Sequence, residues 1–241
     1  MSAPPPPPPP ELIQAVWLGR RAFAPTLELQ KATRDALASD TGPATILLVE
    51  HPPTLTLGRR GERDDVLWSP DILRARGVDV CETPRGGQVT LHAPGQLVAY
   101  PIVRIGWRVR EHITRLGRVA HQFFEELGVQ GAEFRIEHPG IWIGLQKIAS
   151  IGVHVSRGVT IQGIAMNLDV DANLFGSLVS CGMQGPVMRN ARDFGAREID
   201  IADAARRWAE LFAADLDVPL QWADPEPAAE PSAEPTPSVG G

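Results

Sequence analysis

Residues 140–168 read GIWIGLQKIASIGVHVSRGVTIQGIAMNL, and this stretch decides the fold class. Its aliphatic and β-branched residues fall into three runs, which predict strands at 140–145, 147–155 and 159–168. The turn residues Ser156, Arg157 and Gly158 separate the last two runs, so the stretch is predicted to form a meander of neighbouring strands.

Further strands are predicted before this stretch, at 12–18, 44–50, 78–83, 88–92 and 97–103. Helices are predicted at 26–38, at 109–127 and at 201–214, with a short one from Ser69-Pro70 to Gly77. Strands dominate, and the helices fall between groups of them rather than alternating strictly with them. The sequence therefore predicts the α+β class, with a mixed, largely antiparallel sheet.

The two ends of the chain differ in composition from its middle. Residues 1–10 include an unbroken proline run and are predicted to be disordered or extended, because proline fixes φ and lacks an amide donor. Residues 224–241 are rich in Pro, Ala, Glu and Ser and are predicted to form a disordered tail. Residues 11–223 are expected to form a single domain.

Charge and composition exclude several classes of protein. A formal net charge of −6 argues against general nucleic-acid binding, which usually needs a basic face. No apolar run reaches the length of a membrane span, and no signal peptide is recognisable. The two cysteines make no disulfide framework, so a cytoplasmic protein with free thiols is expected. No histidine or cysteine spacing indicates a metal site.

Residues 84–101 read PRGGQVTLHAPGQLVAYP, with glycine-containing loops on either side of a short strand. Adjacent glycines let the backbone approach a ligand closely, and Arg85, His92 and Gln96 add polar groups. The stretch is interpreted either as a wall of a substrate site or as a hairpin with two ordinary turns.

Lys147 and Cys181 are the candidate reactive side chains. Lys147 lies among apolar residues of a predicted strand, so it is either a desolvated ammonium or a lysine that extends from a strand edge to water. Cys181 lies in the turn-like LVSCGMQG, whereas Cys81 lies within a predicted strand and fits a buried, unreactive thiol. Two histidines of the long helix, His112 and His121, are predicted to be at the surface.

Taken together, four stretches resemble the octanoyl (lipoyl) transferase family of lipoate biosynthesis. They are HPPTLTLGRRG from His51, RGGQVTLHAPGQLVAYPI from Arg85, residues 140–168, and SCG around Cys181. Their order along the chain is that of the family. Four departures are the alanine at position 93, the glutamine at 162, the serine at 180 and the residues after Cys181.

The resemblance implies a fold similar to the lipoate/biotin protein ligase catalytic domain, with helices flanking the sheet. It implies that octanoyl-acyl carrier protein is the donor. The acceptors would be lipoyl domains of 2-oxoacid dehydrogenase complexes and the glycine cleavage H protein. Cys181 would carry the acyl thioester and Lys147 would be its partner. Fourteen residues would bind the substrate: Arg85, Gly86, Gly87, Gln88, Val89, Thr90, Leu91, His92, Ser150, Ile151, Gly152, Gly163, Ile164 and Ala165.

The chemistry of the two residue types agrees with that assignment. A nearby ammonium favours a thiolate, and a thiolate attacks a thioester without a cofactor. A basic surface at Arg59, Arg60 and Arg104 is expected to meet the acidic carrier protein. Two alternatives remain open: an ATP-dependent lipoate or biotin protein ligase of the same fold, and a catalytically weak acyl-binding relative.

Overall fold

The structure is a computed structural model that describes residues 7–178 and 187–225. Within those residues, eleven strands form two sheets and four α-helices accompany them. The strands are β1 (Ile13–Arg20), β2 (Ala44–Glu50), β3 (Thr54–Leu57), β4 (Asp79–Glu82), β5 (Val89–His92), β6 (Gln96–Ile102), β7 (Glu133–Arg135), β8 (Gly140–Ile143), β9 (Gln146–Ser156), β10 (Val159–Asn167) and β11 (Leu220–Trp222). The helices are α1 (Phe23–Ala38), α2 (Pro70–Ala75), α3 (Val109–Glu126) and α4 (Ile201–Leu216).

The larger sheet has the order β11-β1-β2-β6-β10-β9-β8-β7. β1 runs parallel to both β11 and β2, and every other neighbouring pair is antiparallel. The smaller sheet has the order β4-β3-β5, with one parallel and one antiparallel pair. The predicted α+β class with a mixed, largely antiparallel sheet and flanking helices is confirmed.

The central strands of the larger sheet are buried along their whole length because they are covered on both faces. All seven residues of β2 and all nine of β10 are buried. α3 and α4 pack against each other and against the sheet, and α1 packs against β2, β6 and β10. Phe23 and Leu27 of α1 form a separate apolar cluster with Ile161 of β10. This packing fixes the wall of the larger sheet that carries the candidate site.

Most predicted elements are confirmed within a few residues. β2 has the predicted bounds, and the meander of 140–168 forms β8, β9 and β10. The Ser69 hydroxyl accepts a hydrogen bond from the amide of Ile72 at the start of α2, as a helix cap should. The helix ends before Gly77, whose φ of +63° suits glycine.

Three strands were absent from the sequence prediction: β3, β7 and β11. β3 has four residues and directly follows Pro52-Pro53, so the segment has the composition of a loop. β7 and β11 have three residues each, which is too short to show a periodic pattern. β3 and β11 form by pairing with strands that are distant in sequence, and β7 forms by pairing with β8, which follows it after a turn.

The predicted surface position of His112 is wrong. His112 is 1% exposed, and its ring contacts the ring of Phe212 on α4 edge-on at a centroid distance of 6.4 Å. The apolar face of α3 is wider than the predicted stripe because α4 covers the flank that carries His112. His121, on the same helix, keeps 36% of its side chain exposed.

Among the described residues, no helix combines the length and the apolarity that crossing a membrane would require.

Candidate active site

A cavity of about 90 Å³ lies between the two sheets. On the same measure a single water needs about 10–15 Å³, so the cavity accommodates a ligand of several heavy atoms. Lys147 lines this cavity. All fourteen predicted substrate-binding residues line it as well: Arg85, Gly86, Gly87, Gln88, Val89, Thr90, Leu91, His92, Ser150, Ile151, Gly152, Gly163, Ile164 and Ala165. The structure therefore brings together residues that are up to 80 positions apart, from Arg85 to Ala165 (165 − 85 = 80).

The loop at 85–87 forms one wall of the cavity and is held in place by the side chain of Arg85. The Arg85 guanidinium is buried and donates through Nη2 to the carbonyl and the hydroxyl oxygens of Thr56, at 2.6 and 2.8 Å. Its Nη1 donates to the carbonyl of Gly86, and the amide of Gly86 donates to the carbonyl of Val153. The loop is thus tied both to the smaller sheet and to β9, which fixes its backbone at the cavity.

The facing wall comes from β9 and β10. Ser150, Ile151 and Gly152 pair with Ala165, Ile164 and Gly163, respectively, so the predicted residues of the two strands are cross-strand neighbours. A Cβ at position 163 would lie 2.2 Å from the Ala99 carbonyl oxygen, which shows why glycine is needed there. The small and aliphatic side chains of this wall give the cavity an apolar surface.

Lys147 enters the cavity from the first residues of β9. It is 4% exposed, and its Nζ lies 5.2 Å from the centroid of the Trp142 ring on β8. Such a distance places an ammonium within the range of a cation–π interaction. The Trp142 indole is itself held, because its Nε1 donates to the carbonyl of His138 at 3.0 Å.

Cys181 lies outside the described residues. The chain on either side of 179–186 is described, and both of its ends reach the cavity: Leu178 and Met188 are lining residues. Leu178 forms a bridge with Val66, and Met188 forms one with Lys147.

The sequence analysis missed a buried polar network beneath the cavity. His51 Nδ1 lies 2.6 Å from the carbonyl oxygen of Arg21, and its Nε2 lies 2.9 Å from the hydroxyl of Tyr100, which lines the cavity. Nδ1 must carry the proton to donate to that carbonyl, so Tyr100 donates to Nε2. Burial lowers the pKa of His51 to about 4 and raises that of Tyr100, so both groups are neutral.

His92 is held in one tautomer by the same kind of network. Gln96 donates through Nε2 to the carbonyl of Leu91 and to Oδ1 of Asn167, so its Oε1 accepts from Nδ1 of His92 at 2.8 Å. Nε2 of His92 is then an acceptor, and it has no hydrogen-bond partner among the described residues. Burial, followed by the nearby His51, holds the pKa of His92 well below its ordinary value.

Other residues reach the cavity that the sequence analysis did not assign to it: Arg60, Val98, Tyr100, Glu137, His138, Pro139, Gln162, Leu178 and Met188. Arg60, together with Arg59, had been assigned to a basic docking surface, and both are exposed at the rim. Arg104 had the same assignment but is not a lining residue. It donates to the carbonyl of Leu37 and to the carboxylate of Asp40.

Gln162 has a φ of +64° within β10, which is unusual for a residue with a side chain. The amide of Gln162 donates outside the sheet, to the side chain of Gln30 on α1, at 2.8 Å. At this position β10 is therefore held by α1.

Residues 7–178 and 187–225 contain no group of three or more His, Cys, Asp or Glu side chains that could hold a metal ion.

Comparisons with known proteins agree with the geometry. The family model described as the lipoyl protein ligase A/B catalytic domain matches residues 23–213. The octanoyltransferase of Acidobacterium capsulatum is 40% identical over 187 residues, which cover 71% of this chain and 76% of the relative. The octanoyltransferase of Solibacter usitatus is 38% identical over 202 residues, which cover 83% and 91%, respectively.

Solved structures with the same fold have much lower sequence identity. A putative lipoate protein ligase from Thermoplasma acidophilum with bound lipoic acid matches with a TM-score of 0.69 at 13% identity, over 88% of this chain and 89% of that one. The biotin protein ligase of Leishmania major in complex with biotin matches with a TM-score of 0.51 at 15% identity, over 85% and 74%. The resemblance noted from the sequence motifs is confirmed, and the chain belongs to the family of lipoyl protein ligase A/B catalytic domains.

Proposed function

We propose that this chain is an octanoyltransferase, which moves an octanoyl group from octanoyl-acyl carrier protein to a lysine of a lipoyl domain. Cys181 carries the acyl group as a thioester between the two steps, within a catalytic unit spanning residues 11–223. The observation that carries the proposal is the cavity itself. It joins a buried lysine, an apolar wall and both described ends of the segment that contains Cys181.

Chain connectivity supports the pairing of Cys181 with Lys147. Cys181 follows Leu178 by three residues in the sequence, and Leu178 lines the same cavity as Lys147. An ammonium beside a cysteine side chain favours the thiolate.

In the first step, the Cys181 thiolate attacks the thioester carbonyl of the donor. The new C–S bond forms as the bond to the carrier's sulfur breaks, and the leaving sulfur takes a proton from the Lys147 ammonium. Lys147 is then neutral. One thioester replaces another, so no nucleotide is needed to activate the acyl group.

In the second step, the amine of the acceptor lysine attacks the Cys181 thioester. Neutral Lys147 accepts a proton from that amine, and the Cys181 sulfur leaves as a thiolate, which restores the starting charge pair. The two steps therefore leave the enzyme unchanged.

The acceptors are lipoyl domains of 2-oxoacid dehydrogenase complexes and the glycine cleavage H protein. A free thiol suits an enzyme of the cytoplasm.

The test of the proposal is intact-mass analysis after incubation with octanoyl-acyl carrier protein, without ATP. We expect the protein to gain the mass of one octanoyl group, which hydroxylamine removes because the bond is a thioester. Cys181→Ala should abolish the gain, and Cys81→Ser, which changes the other cysteine, should leave it intact.

Two results would contradict the proposal. A label that survives in Cys181→Ala would place the acyl group on another residue. A label that forms only with ATP and free fatty acid would identify an ATP-dependent ligase instead.

The rim of the cavity supports docking of an acidic carrier protein. The amide of Arg59 donates to the carbonyl of Arg85 and that of Arg60 to the carbonyl of Gly87, so both arginines are anchored by their backbones beside the glycine loop. Both are exposed, and neither takes part in an ion pair among the described residues. Two arginines without an ion-pair partner at the entrance of the cavity favour the docking of a negatively charged protein.

Reversing both rim charges, Arg59→Glu with Arg60→Glu, is expected to raise the KM for octanoyl-acyl carrier protein about tenfold or more at low salt. The matched control is Arg110→Glu, an exposed arginine of α3 that does not line the cavity. The difference between variant and wild type should shrink as salt is added, because salt screens exposed charges. An unchanged KM and salt dependence would remove the rim from carrier docking.

A further inference from the structure

Lys147 is paired along its backbone with a segment that arrives from elsewhere in the chain. β10 is paired with β9 as far as Met166 opposite Ala149, and β10 ends at the next residue, Asn167. The continuation of that register would place residue 168 opposite Lys147, but Met188 is found there instead, in a parallel bridge. Residues 187–189 thus take the place in the sheet that β10 leaves.

The pairing is made by two backbone hydrogen bonds. The amide of Lys147 donates to the carbonyl of Val187 at 2.7 Å, and the carbonyl of Lys147 accepts from the amide of Arg189 at 3.0 Å. Both backbone polar groups of the buried lysine are therefore satisfied by residues 187–189. The direction in which its side chain leaves the backbone depends on where that segment lies.

Asn167 holds the segment from the end of β10. It is fully buried, and its Nδ2 donates to the carbonyl of Arg189 at 3.0 Å. Its Oδ1 accepts from Nε2 of Gln96 at 2.8 Å. Gln96 has no freedom to turn its amide over, because Nε2 also donates to Leu91 and Oε1 accepts from His92. Asn167 must therefore present its oxygen to Gln96 and its NH₂ to Arg189.

We propose that Asn167 is a positioning residue for Lys147, which fixes residues 187–189 against the lysine backbone and thereby sets the place of its ammonium in the cavity. The hydrogen-bonded path from His92 through Gln96, Asn167 and Arg189 to Lys147 joins the two walls of the cavity. The inference rests on the proposed function, since it gives Lys147 its role in the transfer.

The segment has a second anchor that does not involve Asn167. The side chain of Asn190 donates to the carbonyl of Val170 and accepts from its amide, at 2.8 and 3.0 Å. Loss of the Asn167 donor should therefore displace residues 187–189 without unfolding the chain. A buried carbonyl left without a donor is unfavourable, which gives the segment a reason to shift.

The test is Asn167→Asp, which keeps the shape of the side chain and the acceptor for Gln96 but removes the donor to Arg189. We expect the rate constant for octanoyl transfer to fall by about 10- to 100-fold, because a displacement near 1 Å at a reacting group has an effect of this order. The KM for the acyl donor should change less than twofold, since the cavity walls that bind the acyl chain are retained.

The second readout is the pH dependence of Cys181 alkylation by iodoacetamide, which needs no acyl donor. A less well placed ammonium should shift thiolate formation to higher pH. The neutral variant Asn167→Ala should show the same shift, which separates the position of the ammonium from a direct effect of the new carboxylate on the thiol. Asn173→Asp is the matched control, because Asn173 is exposed and bonds only to Asp171. It should behave as the wild type in both assays.

The outcomes separate the two proposals. If wild-type protein takes no octanoyl group on Cys181, the proposed function fails, and the alkylation profile still decides the role of Asn167. If wild type is acylated and the folded Asn167→Asp variant matches it in rate and pH profile, the positioning role is rejected. If neither Asn167→Asp nor Asn167→Ala shows a cooperative thermal transition, Asn167 is required for folding and the positioning role is likewise rejected.

Discussion

Lys147→Met is expected to slow octanoyl transfer by about three orders of magnitude, within the range found for loss of a general acid–base group. Methionine has nearly the length of lysine and suits an apolar cavity wall, so the change removes the ammonium while keeping the packing. In the proposed mechanism, the first step loses the cation that stabilises the Cys181 thiolate, and the second loses the base for the incoming amine. Both steps should therefore be slow.

The first step, acylation of the protein, can be measured separately by mixing the protein with octanoyl-acyl carrier protein alone. The acidic limb of the rate–pH profile should move towards the ordinary thiol pKa of about 8.5. Lys31→Met is the natural control, because Lys31 is the other lysine of the chain and forms an ion pair with Glu28 on α1. A wild-type profile in Lys147→Met would remove this residue from the mechanism.

The parts of the fold that were predicted are those in which local sequence and burial agree. β2 and β10 are rich in aliphatic and β-branched residues because they are buried on both faces, so their residue types already differ from those of loops. The residues at 85–92 alone left open a substrate wall or an ordinary hairpin, and the wall was assigned to substrate binding through the resemblance. Cys181 and Lys147 were assigned their roles through the resemblance.

What could not be predicted depends on contacts between distant parts of the chain. The hydrogen bond from Tyr100 to His51 joins residues 49 positions apart, and neither residue carries a local sign of the other. The pairing of Lys147 with residues 187–189 is of the same kind. His112 was misplaced because a single apolar stripe on α3 does not reveal that α4 covers its flank.

The second large effect concerns stability in acid and arises from three buried histidines. Burial lowers the pKa of His51 to about 4 and that of His112 to about 3, from an ordinary value of 6.5. Burial also holds the pKa of His92 well below 6.5, with further lowering by His51 and Arg85. Arg115 adds a smaller electrostatic contribution at His112. The rings of His51 and His112 are therefore neutral in the folded chain at pH 5, and the pKa of His92 is shifted in the same direction.

The sign of the effect follows from where protons bind. In the unfolded chain each histidine titrates near 6.5, so below that pH the unfolded state binds protons that the folded state does not. The free energy of unfolding therefore falls as pH drops from 6.5 towards the folded pKa values. At pH 5 His51 and His112 each cost about 2 kcal/mol relative to pH 7.5, or about 4 kcal/mol for the two, against a typical total of about 5–15 kcal/mol. His92 contributes in the same direction. Carboxylates contribute mainly below about pH 4.5.

His112→Leu should remove the part of this acid sensitivity that His112 contributes. Leucine fits the apolar interface of α3 and α4, and the change also removes two ring nitrogens that have no hydrogen-bond partner among the described residues. Urea unfolding at pH 7.5 and pH 5 should show the variant losing about 2 kcal/mol less than the wild type between the two conditions. His121→Leu, on the same helix but half-exposed, should lose as much as the wild type. Equal losses in all three proteins would mean that His112 becomes protonated within the folded chain, and that its burial carries no such cost.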